Sequence, residues 1–279
     1  MEERGAGKSS TINALFEQEV STVGNTFLPE TMEIQEYDMK EIILWDTPGL
    51  GDGPKADEIH TEKIIKKLKE VDINGQQLID NVVVVIDGRT RDLGSVYKLI
   101  NEVVVPNLPN AENRMVIAVN KIDEILSGVH WKEDTNEPDL ELIAYLEEMM
   151  NKISQRLLED TGIEFNPIYY KAGKTLEDGR QEKPYNMSKV LFNIVKKTPS
   201  NKQLCYVNQI NKESAVWEDD DNKEKYNENT ITNIVDGVEK TIEEIIDETA
   251  TEYFPKFVRE VVKRAKQIIP KVIKSLKNF

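Results

Sequence analysis

Met115-Val116-Ile117-Ala118-Val119 runs straight into Asn120-Lys121-Ile122-Asp123. Five consecutive apolar residues without polar alternation read as a strand covered on both faces. The Asp that closes N-K-x-D can accept two hydrogen bonds from neighbouring donors on guanine, N1–H and the exocyclic amino group. Adenine lacks that donor pair and would leave a buried carboxylate unpaired, so such a site discriminates between bases by pairing. Four residues are a weak signal alone, and their weight comes from what precedes them.

Upstream, in order, stand Gly5-Ala6-Gly7-Lys8-Ser9-Ser10, Thr31, and Asp46-Thr47-Pro48-Gly49. A glycine-rich turn opening a helix lets backbone N–H groups converge on phosphate without a Cβ in the way, and Lys8 adds a point charge. Ser9 is placed for its hydroxyl to coordinate Mg²⁺. Asp46 ends a strand and would hold the metal through a bound water. Thr31 is the candidate that closes over Mg²⁺ and the γ-phosphate, with Thr22 and Thr26 as competitors. Gly49 would give its N–H to the γ-phosphate and make its loop sensitive to nucleotide state. The candidate catalytic set is therefore Lys8, Thr31 and Gly49, and the metal set is Ser9, Thr31 and Asp46.

In this order the four signals resemble the G1 to G4 motifs of translation-factor-type P-loop GTPases. The runs at residues 5–16 and 44–53 are most similar to the Era-like group, and within it to a little-studied bacterial branch often found near mobile elements. The resemblance spans residues 4 to 198. It implies an α/β three-layer fold with a mostly parallel sheet, GTP or GDP as ligand, Mg²⁺ as cofactor, and Asn120, Lys121 and Asp123 at the base. At the fifth motif, where the family usually has Ser-Ala-x, this chain has Lys171-Ala172-Gly173. Ala172 can still offer its N–H to guanine, but the serine that rigidifies the loop is replaced.

Three departures shape the expected chemistry. Leu50 follows Gly49 where many small GTPases carry a water-positioning glutamine, and a leucine cannot orient water by hydrogen bonding. Hydrolysis would then be slow, or assisted from elsewhere. Arg89 and Arg91 could act across a homodimer, with solvated loop arginines as the plainer reading. Gly5 stands where some relatives hold K⁺ with an asparagine, so no K⁺ is invoked. Finally, a complete G-x-x-x-x-G-K-S loop would need glycine at position 2, which is Glu2, and Met1-Glu2-Glu3-Arg4 has no apolar run. The strand that normally feeds the loop is not legible. Without it the sheet should carry a slot between the Asp46 strand and the Val82–Ile86 strand.

Alternating patterns mark the remaining elements. Strands are expected at Met32–Tyr37, Glu41–Trp45, Val82–Ile86 and Pro167–Tyr170. Helices are expected at Ser9–Phe16, Glu58–Lys69, Ser95–Val105, Asp139–Leu158 and Met187–Lys196. The division is a GTP-binding domain over 1–198, an acidic and polar linker over 199–227, and a helical extension over 228–279. In that extension an acidic first half and a basic second half after Pro255 could pair antiparallel. The basic helix could instead meet a protein, RNA or an anionic membrane surface.

With 279 residues, 39% hydrophobic and 31% charged, the chain can bury one full core. A net charge of −15 argues against DNA and generic nucleic-acid binding. The single Cys205 excludes an internal disulfide, and a cytoplasmic home is expected. His60 and His130 have no metal-spaced companions and read as surface or loop residues. Trp45 reads as core packing. The expectation is a slow GTP-hydrolysing switch, and the alternative is a truncated or degenerate domain acting through its helical tail. Asp123 disfavours an ATPase.

Overall fold

The computed structural model describes residues 5–16, 34–39, 41–47, 53–173 and 182–248. Its elements in order are helix α1 (Lys8–Leu15), strands β1 (Gln35–Asp38) and β2 (Ile43–Asp46), helix α2 (Pro54–Leu68) and strand β3 (Val82–Asp87). Helix α3 (Gly94–Lys98), a π-helical segment (Leu99–Val104) and the short α4 (Val105–Asn107) and α5 (Ala111–Arg114) lead into β4 (Met115–Asn120). Hairpin β5 (Trp131–Lys132) and β6 (Glu137–Pro138), helix α6 (Leu140–Thr161), β7 (Ile168–Tyr169), α7 (Met187–Lys196) and α8 (Tyr226–Glu248) complete the set.

Strands β3, β4 and β7 form a parallel sheet in that order, with Val82 opposite Met115 and Ala118 opposite Ile168. The unbroken apolar runs now have their reason. Val82, Val84 and Ile86 of β3, with Met115, Ile117 and Val119 of β4, face one core with α2, the π segment and α6. Val85, Val116 and Ala118 face a second core with α1, α7 and α8. Successive side chains alternate between faces, so a strand buried on both sides has no polar positions to show. This is an α/β fold built on a parallel sheet, as expected.

Helix α6 illustrates how its sequence selects it. Asp139 accepts hydrogen bonds from the N–H groups of Glu141 (3.0 Å) and Leu142 (2.9 Å), and Gly162 closes the helix at φ +71°. Leu142, Leu146, Ile153 and Leu157 fall on the buried stripe, each contributing roughly 1.5–3 kcal/mol relative to exposure. The helix expected over 95–105 forms, but its second half widens to π geometry ahead of Pro106, which has no N–H to donate.

Two further expectations are adjusted. Residues 200–216, assigned to a polar linker, form 3₁₀ turns (Ser200–Asn208 and Ser214–Val216) that bury Tyr206 and Val216 in the second core. The acidic run is paired rather than solvated: Asp219 with Lys183 (2.9 Å), Asp220 with Ser188 (2.8 Å), and Asp221 with Lys189 (2.6 Å). Helix α8 starts at Tyr226, and the expected basic half after Pro255 lies outside the described residues. Among the described residues no helix is long and apolar enough to cross a membrane.

Strands β1 and β2 pair antiparallel with each other and form no ladder with β3. Between β2 and β3 lies a cavity of about 1100 Å³. Ile42 and Leu44 of one side, Val83 and Val85 of the other, and Leu15, Phe16 and Tyr206 below line it. This is where the slot was expected.

Candidate functional site

Gly7 is the N-cap of α1 at φ +89°, with no side-chain cap on the helix. The first-turn N–H groups of Lys8, Ser9 and Ser10 are thereby left for a ligand, and the helix dipole favours an anion there. The glycine is required twice over. A positive φ strains any other residue, and a Cβ at position 7 would collide with the Asn120 side-chain amide.

That amide is the hub of the site. Asn120, at the end of β4 and 2% exposed, donates from Nδ2 to the carbonyl of Ala6 (2.8 Å). Its Oδ1 accepts the N–H of Ala172 (3.0 Å). One side chain thus joins the phosphate loop, the base loop and the fifth-motif loop. Lys121, in the left-handed region at φ +61°, sends Nζ to the carbonyl of Gly5 and lies 3.2 Å from Asp87. Thr11 of α1 shares a hydrogen bond of 2.5 Å with the Tyr170 hydroxyl. The phosphate loop is therefore tied to the base side of the sheet at three points.

Where a metal is expected, the Ser9 hydroxyl donates to Asp46 Oδ2 at 3.3 Å, and Asp46 is buried. An adjacent hydroxyl and carboxylate are hard oxygen donors of the kind Mg²⁺ takes together with phosphate oxygens and water. Burial pushes the Asp123 carboxyl above the usual range, and the positive charge of Lys171 pulls against that shift. Thr31 and Gly49, along with Leu50, lie outside the described residues.

Arg89 and His60 behave differently from expectation. Arg89 is engaged within its own chain, with Nη2 2.6 Å from Asp87 and Nη1 2.8 Å from Glu124. Burial opposes ionisation of Asp87, but hydrogen bonds from Arg89 and the Lys121 charge outweigh it and hold the carboxyl below the ordinary value. His60 is on α2 and buried, both ring nitrogens lacking a partner among the described residues. His130 meets Asp139 at 2.8 Å through Nδ1. Trp45 is half-buried against the first core, under the Lys67 ammonium at 4.6 Å. Asn186, fully buried, was not anticipated. It donates to the carbonyl of Tyr169 (3.0 Å) and accepts from the N–H of Asp221 (2.8 Å), holding the acidic loop against β7. An asparagine directly before an amphipathic helix was the available signal.

Residues 3–121 match the family model described as a 50S ribosome-binding GTPase. The match spans less than half of the chain. It contains the phosphate loop, Asp46 and the first two residues of the base-reading motif, and Asp123 and Ala172 follow on the same sheet edge. Among solved structures, the crystal structure of a probable GTP-binding protein engB is 19% identical. The match covers 70% of this chain and 94% of that one, with a TM-score of 0.41. No curated protein matches the chain.

Proposed function

We propose that this chain is a P-loop GTPase of the Era-like group that binds GTP with Mg²⁺ and hydrolyses it slowly to GDP and phosphate, serving as a cytoplasmic molecular switch. The observation that carries the reading is the Asn120 bridge, which brings the loop of Lys8 and the loop of Asp123 together around one amide. Lys8 and the α1 N-terminus would hold the β- and γ-phosphates. Ser9 and Asp46 would hold Mg²⁺ with Thr31, and the bound metal would neutralise charge developing on the phosphates. Gly49 would sense the γ-phosphate, Asn120 and Asp123 would fix guanine, and the Ala172 N–H would meet its carbonyl oxygen. With Leu50 unable to align water, unassisted turnover falls on the order of 10⁻⁴ to 10⁻² s⁻¹. With Arg89 committed to Asp87 and Glu124, exposed Arg91 is the better arginine to act across a homodimer.

The cavity between β2 and β3 favours one second reading, a domain that binds without hydrolysing and acts through its helical tail. Titrating the purified chain with fluorescent GTP, GDP and ATP in Mg²⁺, then following phosphate release, separates the two. Guanine-selective binding with slow release supports the switch; binding without release supports the tail; equal affinity for ATP overturns both.

A further inference from the structure

Lys171 directly precedes Ala172 and is 5% exposed. Its Nζ donates to Asn136 Oδ1 at 3.2 Å and sits 5.2 Å from the centre of the Trp131 ring. On its other side the Asn136 amide donates to Asp219 Oδ2 and to the carbonyl of Pro184, both at 2.8 Å. These partners dictate how the amide lies. Its oxygen must face the ammonium, and its nitrogen must face the carboxylate and the carbonyl. Asn136 is itself buried, so the lysine charge and the Asp219 charge are bridged by one desolvated dipole. A buried cation or amide left without its partner is costly, which makes each member of this row depend on the next.

The backbone repeats the connection. Lys171 exchanges two hydrogen bonds with Tyr185, at 3.0 and 2.9 Å, and the N–H of Asn186 donates to the carbonyl of Asp219 at 2.8 Å. In the same loop, Asp221 accepts the hydroxyl of Tyr226, the first residue of α8, at 2.8 Å. At the far end, the Ala172 N–H is held on Asn120 Oδ1 at 3.0 Å. A path of short hydrogen bonds thus joins the start of α8 to the loop assigned to guanine.

We propose that Asp219 is a positioning residue of the guanine site, acting through Asn136 on Lys171 and so fixing the Ala172 N–H beside Asn120. The inference rests on the assignment of the loops at Asn120–Asp123 and Lys171–Gly173 to guanine. It makes the segment that enters α8 a determinant of how long the nucleotide stays. Asp220, next in the chain, accepts instead from the Ser188 hydroxyl at 2.8 Å and supplies the control.

The test measures release of a fluorescent GDP from the full chain and its variants. Asp219→Ala removes the acceptor and should speed release about tenfold. Asp219→Asn keeps an acceptor for Asn136 and should stay within about threefold of the parent, and Asp220→Ala within about twofold. Adding Lys171→Met to Asp219→Ala should change little beyond the larger single effect, because both cut one path. Asn136→Ser cuts that path from the hairpin side and serves if Asp219→Ala does not fold. Unchanged release in Asp219→Ala, an equal effect in Asp219→Asn or Asp220→Ala, or full additivity overturns the proposal. Amide hydrogen exchange of the nucleotide-free protein gives a reading that needs no ligand. Exchange at Lys171 and Ala172 should quicken in Asp219→Ala while α6 keeps its protection. Unmoved exchange, or equal quickening in α6, refutes the positioning role. A parent that binds no guanine nucleotide refutes the functional assignment, and the exchange data still decide on Asp219.

Discussion

The two edges of β3 make an instructive pair. On one, β3 and β4 run in parallel register for six residues, from Val82–Met115 to Asp87–Asn120. That edge ends in the Asn120 amide, which is bonded to both neighbouring loops. On the other, β2 stands off across a cavity of about 1100 Å³, and Asp46 at its end meets the Ser9 hydroxyl of α1 at 3.3 Å. The base half of the site is built by protein–protein hydrogen bonds that exist before any nucleotide arrives. On the proposed reading, the other half presents Ser9 and Asp46 in readiness and would depend on phosphate and metal to draw them together. Preorganisation of the first kind lowers the ordering cost of binding, whereas the second kind lets the ligand's state be felt.

The sharpest way to break this contrast is at the base. Asp123→Asn should weaken GDP by about 10²–10³-fold and shift preference toward xanthosine diphosphate, since the removed acceptor leaves paired donors unsatisfied. Unchanged guanine preference in competition titrations would remove Asp123 from the site. Next, Asn120→Ala should lower the unfolding free energy of the nucleotide-free protein by about 2–4 kcal/mol, from two stranded backbone partners. Lys8→Ala should leave that stability within about 0.5 kcal/mol while weakening GTP. Urea unfolding of both variants measures the difference, and equal losses would erase the distinction between the halves.

The cavity offers a third lever of smaller size. Leu44→Phe should raise stability by about 0.5–2 kcal/mol if the space beside β2 accepts a ring. A lower melting temperature would mean that the space cannot take one. The smallest effect involves His130, whose pKa is raised mainly by its hydrogen bond to Asp139, while Asp139 is lowered mainly by the Leu142 N–H and next by His130. A raised histidine contributes its stability below about pH 6.5 and loses it as pH climbs through the folded value. A lowered aspartate contributes above about pH 4 and loses it as pH falls. His130→Gln should therefore reduce the melting temperature most between about pH 4 and 6.5 and scarcely at all near pH 9.

The parts legible in sequence were those where one physical demand dominates. Burial on both faces forces the Val82–Ile86 and Met115–Val119 runs, and a positive φ beside the Asn120 amide forces Gly7. Apolar residues at helical spacing, Leu146, Ile153 and Leu157 among them, announced α6 because one face of the helix is buried. The residues that escaped serve two demands at once. Lys171 is charged yet buried, which composition reads as surface. Asp219, Asp220 and Asp221 read as part of a linker because their partners Lys183, Ser188 and Lys189 lie some thirty positions away and only folding brings them near. Hairpin β5–β6 has two residues per strand, too few to show any period. Thr31, Gly49 and Leu50 lie outside the described residues, so their roles stand as proposals.

Because the Asn120 amide fills the space where residue 7 would carry a Cβ, these two positions, far apart in the chain, are yoked. A library randomised at both should return glycine at position 7 wherever asparagine survives at 120. Any escape would need a smaller residue at 120 and would surrender the bridge between the loops. Selection on one codon is, in effect, selection on the other.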